Sequence, residues 1–261
     1  MDTAKLTLTE IERRLKSNGN IDRELLDALQ NDERTGAREF FQVISRRLEQ
    51  EMAEGCRLRA MYEHEEVLAL RGVNPVAGLD EAGRGPLAGP VVAAAVVLPL
   101  GRIIPGLNDS KKLTPSRREQ IALEIIDQAD AWAIALASVA EIERHNILGA
   151  TFLAMRRAVC LLSLRPKWLL VDGNLKVPGA EIPQSPLVDG DARSASIAAA
   201  SILAKVWRDQ MMVRCHRVFP EYGFDRHKGY GTREHYDSIT KHGPTPIHRK
   251  GVTARGSDLK T

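Results

Sequence analysis

Two apolar runs in this chain end on acids. Val76-Ala77-Gly78-Leu79 leads into Asp80-Glu81, and Trp168-Leu169-Leu170-Val171 leads into Asp172-Gly173. A further acid, Asp191, stands in Gly190-Asp191-Ala192 just ahead of an Ala-rich helical stretch. In α/β folds, reacting and ligand-binding groups gather beyond the carboxyl ends of strands. Carboxylates converging there repel one another and are stable mainly around divalent cations. Oxygen-only donors suit Mg²⁺ or Mn²⁺, and two such ions about 3.5–4 Å apart can activate water and stabilise a leaving oxygen in phosphoryl chemistry. Taken singly, a strand-ending Asp is usually a turn residue and Asp191 a helix cap. The combination carries the chemical reading.

Adjacent strand residues face opposite ways, so Asp80 and Glu81 are expected to share a site only if the chain leaves the pleat there. Gly83-Arg84-Gly85-Pro86 makes such a departure plausible. A glycine-flanked arginine also offers backbone N–H groups beside a cation, a surface suited to phosphate or ribose oxygens. Basic groups accompany the acids: Lys111-Lys112 after Asn108-Asp109-Ser110, and Lys205 and Arg208 after Asp191. Residues 205–261 hold 12 basic against 6 acidic residues. Within them, His227-Lys228-Gly229-Tyr230-Gly231-Thr232 presents an aromatic ring between glycines, able to stack on a sugar or base. Five of the seven histidines follow residue 215, but none has zinc-site spacing, so they read as structural or phosphate-proximal.

The elements that must position these groups form two regions. Residues 1–72 read as helical. Thr7-Leu8-Thr9-Glu10 fits a capping box ahead of Ile11 and Leu15, Asp22 to Leu29 is a second segment, and Glu33 to Leu70 a third. This part has 12 basic and 15 acidic residues, leaving +6 on the remainder of a chain whose net charge is +3. The change of sign supports a boundary near Gly72-Val73-Asn74-Pro75. Residues 73–261 then alternate. Strands are expected at Val76–Leu79, Pro90–Leu98, Ala133–Val139 and Trp168–Val171. Helices are expected from Thr114-Pro115 to about Asp130, over Ile142–Leu164, and from Ser194 to about Val218. The pattern predicts an α/β domain with a mixed sheet.

The 261 residues suit one large or two modest domains at about 150 residues each. Apolar content of 43% and charged content of 27% exclude a mostly disordered chain, and 5% aromatics predict an aliphatic core. The longest apolar run, Leu87 to Leu100, is interrupted by Pro90 and Pro99 and is too short to span a bilayer. The N-terminal stretch lacks a signal-peptide pattern. Cys56, Cys160 and Cys215 are scattered and odd in number, so they are expected to be packed thiols of a reducing compartment. A cytoplasmic protein, with no membrane association, is expected.

The stretch from Leu79 to Val92 (LDEAGRGPLAGPVV) resembles the signature of type 2 ribonuclease H, ribonuclease HII. Asn108-Asp109-Ser110-Lys111-Lys112-Leu113, Val171-Asp172-Gly173, Gly190-Asp191, Ser196 to Lys205, His227 to Thr232 and Gly243 to Arg249 follow in the family's order. The resemblance covers roughly residues 73–250, and the chain looks like a bacterial form with an N-terminal extension. It implies a ribonuclease-H-like fold: a mixed central sheet flanked by helices, with a small N-terminal helical domain and a helical C-terminal region. It implies an endonuclease that cuts the RNA strand of RNA–DNA hybrids and nicks 5′ of single ribonucleotides in duplex DNA, the entry step of ribonucleotide excision repair. Its catalytic and metal-holding acids map onto Asp80, Glu81, Asp172 and Asp191, around two Mg²⁺ or Mn²⁺ ions, giving 5′-phosphate and 3′-hydroxyl ends. Its substrate-reading elements map onto Gly83, Arg84, Gly85 and Tyr230, with Lys112 and Lys205 as further substrate contacts. A monomer is expected, with any clamp or repair partner unspecified.

Two positions depart from the family pattern. Asp189 stands where the family usually has Lys before the Gly-Asp pair, which leaves Asp189 and Asp191 as choices for the fourth acid. Asp191 is preferred because it keeps its place ahead of the Ser196 helix. Trp207 stands where Thr is common, and packing is its favoured role. The N-terminal extension, net acidic, reads either as an auxiliary substrate-binding domain using Arg46, Arg47, Arg57 and Arg59 or as a stability or docking module. The competing readings are a ribonuclease HIII-like hybrid nuclease preferring longer RNA tracts, and a hybrid-binding protein without catalysis.

Overall fold

The computed structural model describes residues 23–251 together with Thr7, Thr9, Glu10 and Arg13. Ile11 and Leu15 lie outside the described residues. The expected capping pair is present: Glu10 N donates to Thr7 Oγ1 at 3.3 Å and Thr7 N to Glu10 Oε2 at 3.1 Å. The chain divides into two compact units, Met1–Arg57 and Leu58–Thr261. The first contains α1 (Arg23–Gln30) and most of α2 (Thr35–Ala60). Leu29 and Ala37 are fully buried there, with Phe40, Phe41 and Ile44 packed on them.

The second unit begins with the last turn of α2 and the short α3 (Glu63–Leu70). Its centre is a five-stranded sheet in the order β3-β2-β1-β4-β5. The strands are β1 (Val76–Ala82), β2 (Val91–Val97), β3 (Ala131–Ala137), β4 (Trp168–Asp172) and β5 (Gln184–Leu187). β1 pairs antiparallel with β2 and parallel with β4; β2 pairs antiparallel with β3, and β4 parallel with β5. Every residue of β2, Val-Val-Ala-Ala-Ala-Val-Val, is buried, as expected where helices cover both faces of a sheet.

One face is covered by α4 (Pro115–Gln128) and α7 (Ala195–Val218), joined by Leu58, Met61 and Tyr62; the other is covered by α5 (Val139–Leu161). Both cores are mostly Ala, Val, Ile and Leu. Small residues let α7 lie close to the sheet. At Gly78 a Cβ would come within 2.1 Å of the Ser196 carbonyl carbon, so no side chain fits where α7 crosses β1.

Local signals account for most boundaries. Thr114 caps α4, accepting from Arg117 N, with Pro115 at the first helical position. α5 starts at the Ser138–Glu141 capping box, ahead of the expected Ile142. The structure departs from the sequence pattern in places. β5 carries no strand pattern in Gln-Ser-Pro-Leu; pairing to β4 alone makes it an edge strand, where Pro186 is tolerated. The chain also does not leave the pleat at Asp80-Glu81: Glu81 pairs with Ala93 and Ala82 with Val92. The antiparallel ladder to β2 holds β1 in register through those acids.

A one-turn helix α6 (Gly190–Arg193) precedes α7, and α8 (Phe224–His227) and α9 (Arg233–His242) follow it. Ala88, Met212, Tyr222, Phe224 and Ile239 form a small core under this end of the unit. Cys56 and Cys160 are exposed rather than packed. Trp207 is 42% exposed, its ring 6.5 Å from Trp132. Among the described residues no helix is long and apolar enough to cross a membrane.

Candidate active site

The parallel register Leu79↔Val171 sets Asp80 and Asp172 side by side at the carboxyl ends of β1 and β4. Asp172 Oδ1 accepts from Gly190 N at 2.8 Å, which draws α6 and its Asp191 to the strand ends. Gly190 is closely approached there: a Cβ would meet Ile197 Cδ1 at 2.7 Å and Asp172 Oδ1 at 3.1 Å. Asp191 is buried, whereas Asp189, left-handed at φ 53°, is exposed. Asp191 is therefore the acid that the fold brings in. Lys111 Nζ reaches Asp191 Oδ2 at 3.2 Å. The turn holding Lys111 is fixed by Asp109, which accepts from Lys111 N at 2.9 Å, and by the buried Arg118, which donates to Ser110 O at 2.9 Å.

The electrostatics match a cluster of like charges. Burial pushes the Asp80 carboxyl well above the usual carboxylate range, and the charges of Glu81 and Asp172 push it further. Burial also raises Glu81, against the opposing pull of Arg84, whose Nη1 lies 3.2 Å from Glu81 Oε1. Asp191 is raised by burial despite Lys111. Burial works to lower Lys111, but the carboxylates of Asp191, Asp109 and Asp80 outweigh it and the ammonium is held above its ordinary value. Among the described residues no three His, Cys, Asp or Glu side chains form a ready-made metal cage. The donors are all hard oxygens, and a divalent cation would relieve the repulsion that raises Asp80.

Beside the acids, two loops are stitched together. Leu87 N donates to Gly229 O at 2.8 Å, and Gly89 N to Ile247 O at 2.8 Å. Arg249 Nη1 donates to Arg84 O at 2.8 Å and Nε to Gly89 O at 3.1 Å. Gly83 sits at φ 101°, and a Cβ there would strike Arg208 Nε at 2.2 Å. Arg208, fully buried, donates to Pro90 O and Ala88 O. The Tyr230 ring is 42% exposed and faces Gly85, with Lys205 Nζ and the Arg208 guanidinium each 5.7 Å from its centre.

Behind Tyr230 the imidazoles form a network. His235 Nδ1 bonds Tyr230 O at 2.9 Å, and His235 Nε2 lies 2.9 Å from His248 Nε2. His248 Nδ1 accepts from Thr245 N at 2.8 Å, and His227 Nδ1 from Gly229 N at 3.1 Å. The His235–His248 contact leaves room for one proton, and burial lowers the His235 pKa to about 4.

The family model of ribonuclease HII matches residues 77–255, and the model of the ribonuclease HII N-terminal domain matches residues 7–69. The chain belongs to the ribonuclease HII family. It is 49% identical over 248 residues to ribonuclease HII of Pelotomaculum thermopropionicum, covering 94% of this chain and 93% of that one. It is 51% identical over 227 residues to ribonuclease HII of Desulfitobacterium hafniense, covering 87% of each. The crystal structure of ribonuclease H2 from Pyrococcus horikoshii superposes with a TM-score of 0.59 at 28% identity, covering 69% of this chain and 94% of that one. The expected ribonuclease-H-like fold is therefore present, and the enzyme is a ribonuclease H acting on RNA–DNA hybrids.

The structure brings Asp80, Asp172 and Asp191 to the strand ends, and Glu81, although β1 stays in register, lies close enough to feel the charges of Asp172 and Lys111. It separately gathers Gly83, Arg84 and Gly85 with Tyr230 and Lys205. Lys205 also pairs with Asp209 at 2.7 Å. Lys112 is exposed, and the lysine that reaches the acids is its neighbour Lys111. Sequence reasoning missed Arg249, Arg118 and Gly78. The His-Arg pair in Gly243–Arg249 was visible as a motif, but its grip on the Arg84 loop spans some 160 residues and has no local signature. In the extension, Arg47 pairs with Glu51 and Arg57 with Glu54, so these two arginines are committed to partners on their own helix.

Proposed function

We propose that Asp80, Glu81, Asp172 and Asp191 hold two divalent cations, Mg²⁺ or Mn²⁺, and that this ribonuclease H nicks 5′ of single ribonucleotides in duplex DNA. The observation that carries the reading is the joining of two sites: buried, mutually repelling carboxylates at the strand ends, and an exposed Tyr230 ring against Gly85 next to them. Bound divalent ions supply an activated water and charge stabilisation at the departing 3′ oxygen.

The chain's own residues do the selecting. The 2′-hydroxyl is the group that distinguishes a lone ribonucleotide from its DNA neighbours, and the Gly83–Gly85 loop, pinned by Arg249 and Arg208, offers close backbone approach to it. Tyr230, its back supported by cations and its face exposed, stacks on the adjoining sugar. Lys111 balances Asp191 and stands near the path of the scissile phosphate.

From Tyr230 a groove of about 580 Å³ runs along α7, lined by Arg118, Lys205, Arg214, Arg217, Arg226 and Lys228. Its excess of positive charge suits the phosphates of flanking duplex. The proposed enzyme acts as a monomer in the cytoplasm, where it meets chromosomal DNA.

The test is cleavage of duplex DNA containing one ribonucleotide, with and without Mg²⁺ or Mn²⁺, with the ends mapped. The expected result is a metal-dependent nick on the 5′ side leaving a 3′-hydroxyl. Cutting confined to long RNA tracts would support the ribonuclease HIII-like reading, and binding without cutting would overturn the catalytic assignment.

A further inference from the structure

Glu65 lies in the stretch matched by the N-terminal-domain model, yet its side chain is buried, 3% exposed, within the catalytic unit. Its Oε1 accepts three hydrogen bonds: from Ser194 Oγ at 2.6 Å, from Ser196 Oγ at 2.6 Å and from Ser196 N at 3.1 Å. Close by, Ala195 N donates to Met61 O at 2.9 Å. A carboxylate of α3 is thus clamped on the first turn of α7, where the positive end of a 24-residue helix favours negative charge.

The clamped residues are joints of the active site. Ser194 closes α6 through its N–H to Gly190 O at 2.8 Å and opens α7 by accepting from Ile197 N at 3.3 Å. Asp191 stands three residues before Ser194. Ser196 and Ile197 are the residues whose backbone presses on Gly78, two positions before Asp80. One carboxylate therefore fixes both the turn that carries Asp191 and the crossing of α7 over the strand that carries Asp80. Packing alone would not favour an acid here, because Glu65 Oε2 is buried with no hydrogen-bond partner among the described residues, and such a group is costly to bury.

We propose that Glu65 is a positioning residue of the nuclease: it sets the place of Asp191 relative to Asp80, so that a segment of the N-terminal extension tunes metal binding and turnover. This rests on the assignment of Asp80 and Asp191 as metal ligands.

The experiment uses full-length Glu65→Ala, Glu65→Gln, Ser196→Ala and Tyr62→Phe variants. Tyr62 belongs to the same segment but donates elsewhere, to Arg102 O. For each, kcat and KM on an RNA–DNA hybrid, Mn²⁺ affinity without nucleic acid, and melting temperature are measured. Glu65→Ala is expected to lower kcat about ten- to a hundred-fold, the scale of an ångström-sized misplacement, with KM within about two-fold and Mn²⁺ bound more weakly. Glu65→Gln, which keeps an acceptor oxygen, recovers most of both. Tyr62→Phe lowers melting temperature but keeps kcat and Mn²⁺ affinity.

Folded Glu65→Ala with unchanged kcat and Mn²⁺ affinity would overturn the proposal, as would Tyr62→Phe losing both in step with stability. If Glu65→Ala does not fold, Ser196→Ala decides, with a smaller loss of kcat and Mn²⁺ affinity expected and wild-type values refuting. Wild-type protein that binds no Mn²⁺ would instead remove the metal-ligand assignment itself, a failure distinct from that of Glu65.

Discussion

Asp80 and His235 are both buried, both titratable and both in the catalytic unit, yet their neighbourhoods are opposite in kind. Asp80 sits among Glu81 and Asp172, and its charge is resisted by burial and by theirs. His235 is held neutral, one nitrogen on the Tyr230 carbonyl and the other shared with His248, with His227 stacked at 4.5 Å. The acid cluster is burdened by its own burial and mutual repulsion. The imidazole cluster has its partners in place and supports the backbone beneath Tyr230. If the acids carry the chemistry as proposed, damage to the two clusters should have different signatures.

The largest expected effect comes from the acid side. If these acids hold the metal ions as proposed, Asp80→Asn and Asp172→Asn should each reduce cleavage by about a thousand-fold or more, since charge stabilisation at the reacting phosphate would be lost. Asp80→Asn should also raise the melting temperature by a few degrees, because a repelling charge is gone. Cleavage assays and calorimetry on the same preparations check both. A variant that melts lower would break the contrast.

His235→Ala should do the reverse. It opens a cavity and orphans His248, destabilising the fold by about 2–4 kcal/mol by denaturant titration, while hybrid cleavage well below the melting temperature falls far less than in Asp80→Asn. Tyr230→Ala comes next. Losing one stacking surface is worth about 1–3 kcal/mol, so junction cleavage should drop about ten-fold with stability nearly unchanged and cleavage inside long RNA tracts less affected. Equal losses on both substrates would count against a junction role.

The smallest effect sharpens the comparison by pH. His235 titrates near 4 in the folded chain and near 6.5 unfolded. The unfolded state therefore binds the proton first, and this stabilisation, fully present above about pH 6.5, is lost as pH falls toward 4. Burial lowers His227 and His248 in the same direction. Asp80, raised when folded, works oppositely: its folded form takes up the proton first, so acid favours folding at that residue. Each proton contributes at most about 1.4 kcal/mol per pH unit. Melting curves from pH 7 to 4.5 should show a shallower acid loss in His235→Gln and a steeper one in Asp80→Asn.

Much of this architecture is legible in the chain itself. Asp80 and Asp172 can be found because apolar runs end on them, α4 because Thr114-Pro115 opens it, and α7 because an Ala-rich run follows Ser194. What stays hidden depends on contacts distant in sequence. Lys111 and Lys112 are adjacent and identical in type, and only the Asp109 turn decides which one meets Asp191. The histidines at 227, 235 and 248 have no ligand spacing because they answer to one another across three segments rather than to a metal. Glu65 is flanked by the exposed Glu63 and Glu66, and nothing local marks it as the buried one.

The end of α2 and α3 lend a different meaning to modularity. By sequence these residues belong to an appendage, and by packing they are masonry of the nuclease: Leu58, Met61 and Tyr62 sit in its main core, and Leu68 lies against Val76 and Ile197. A recombination event that exchanged the extension at residue 72 would inherit a mismatched foundation, whereas one at residue 57 would leave the masonry whole. Chimeras between relatives should accordingly tolerate a seam inside α2 better than one in the loop that follows α3.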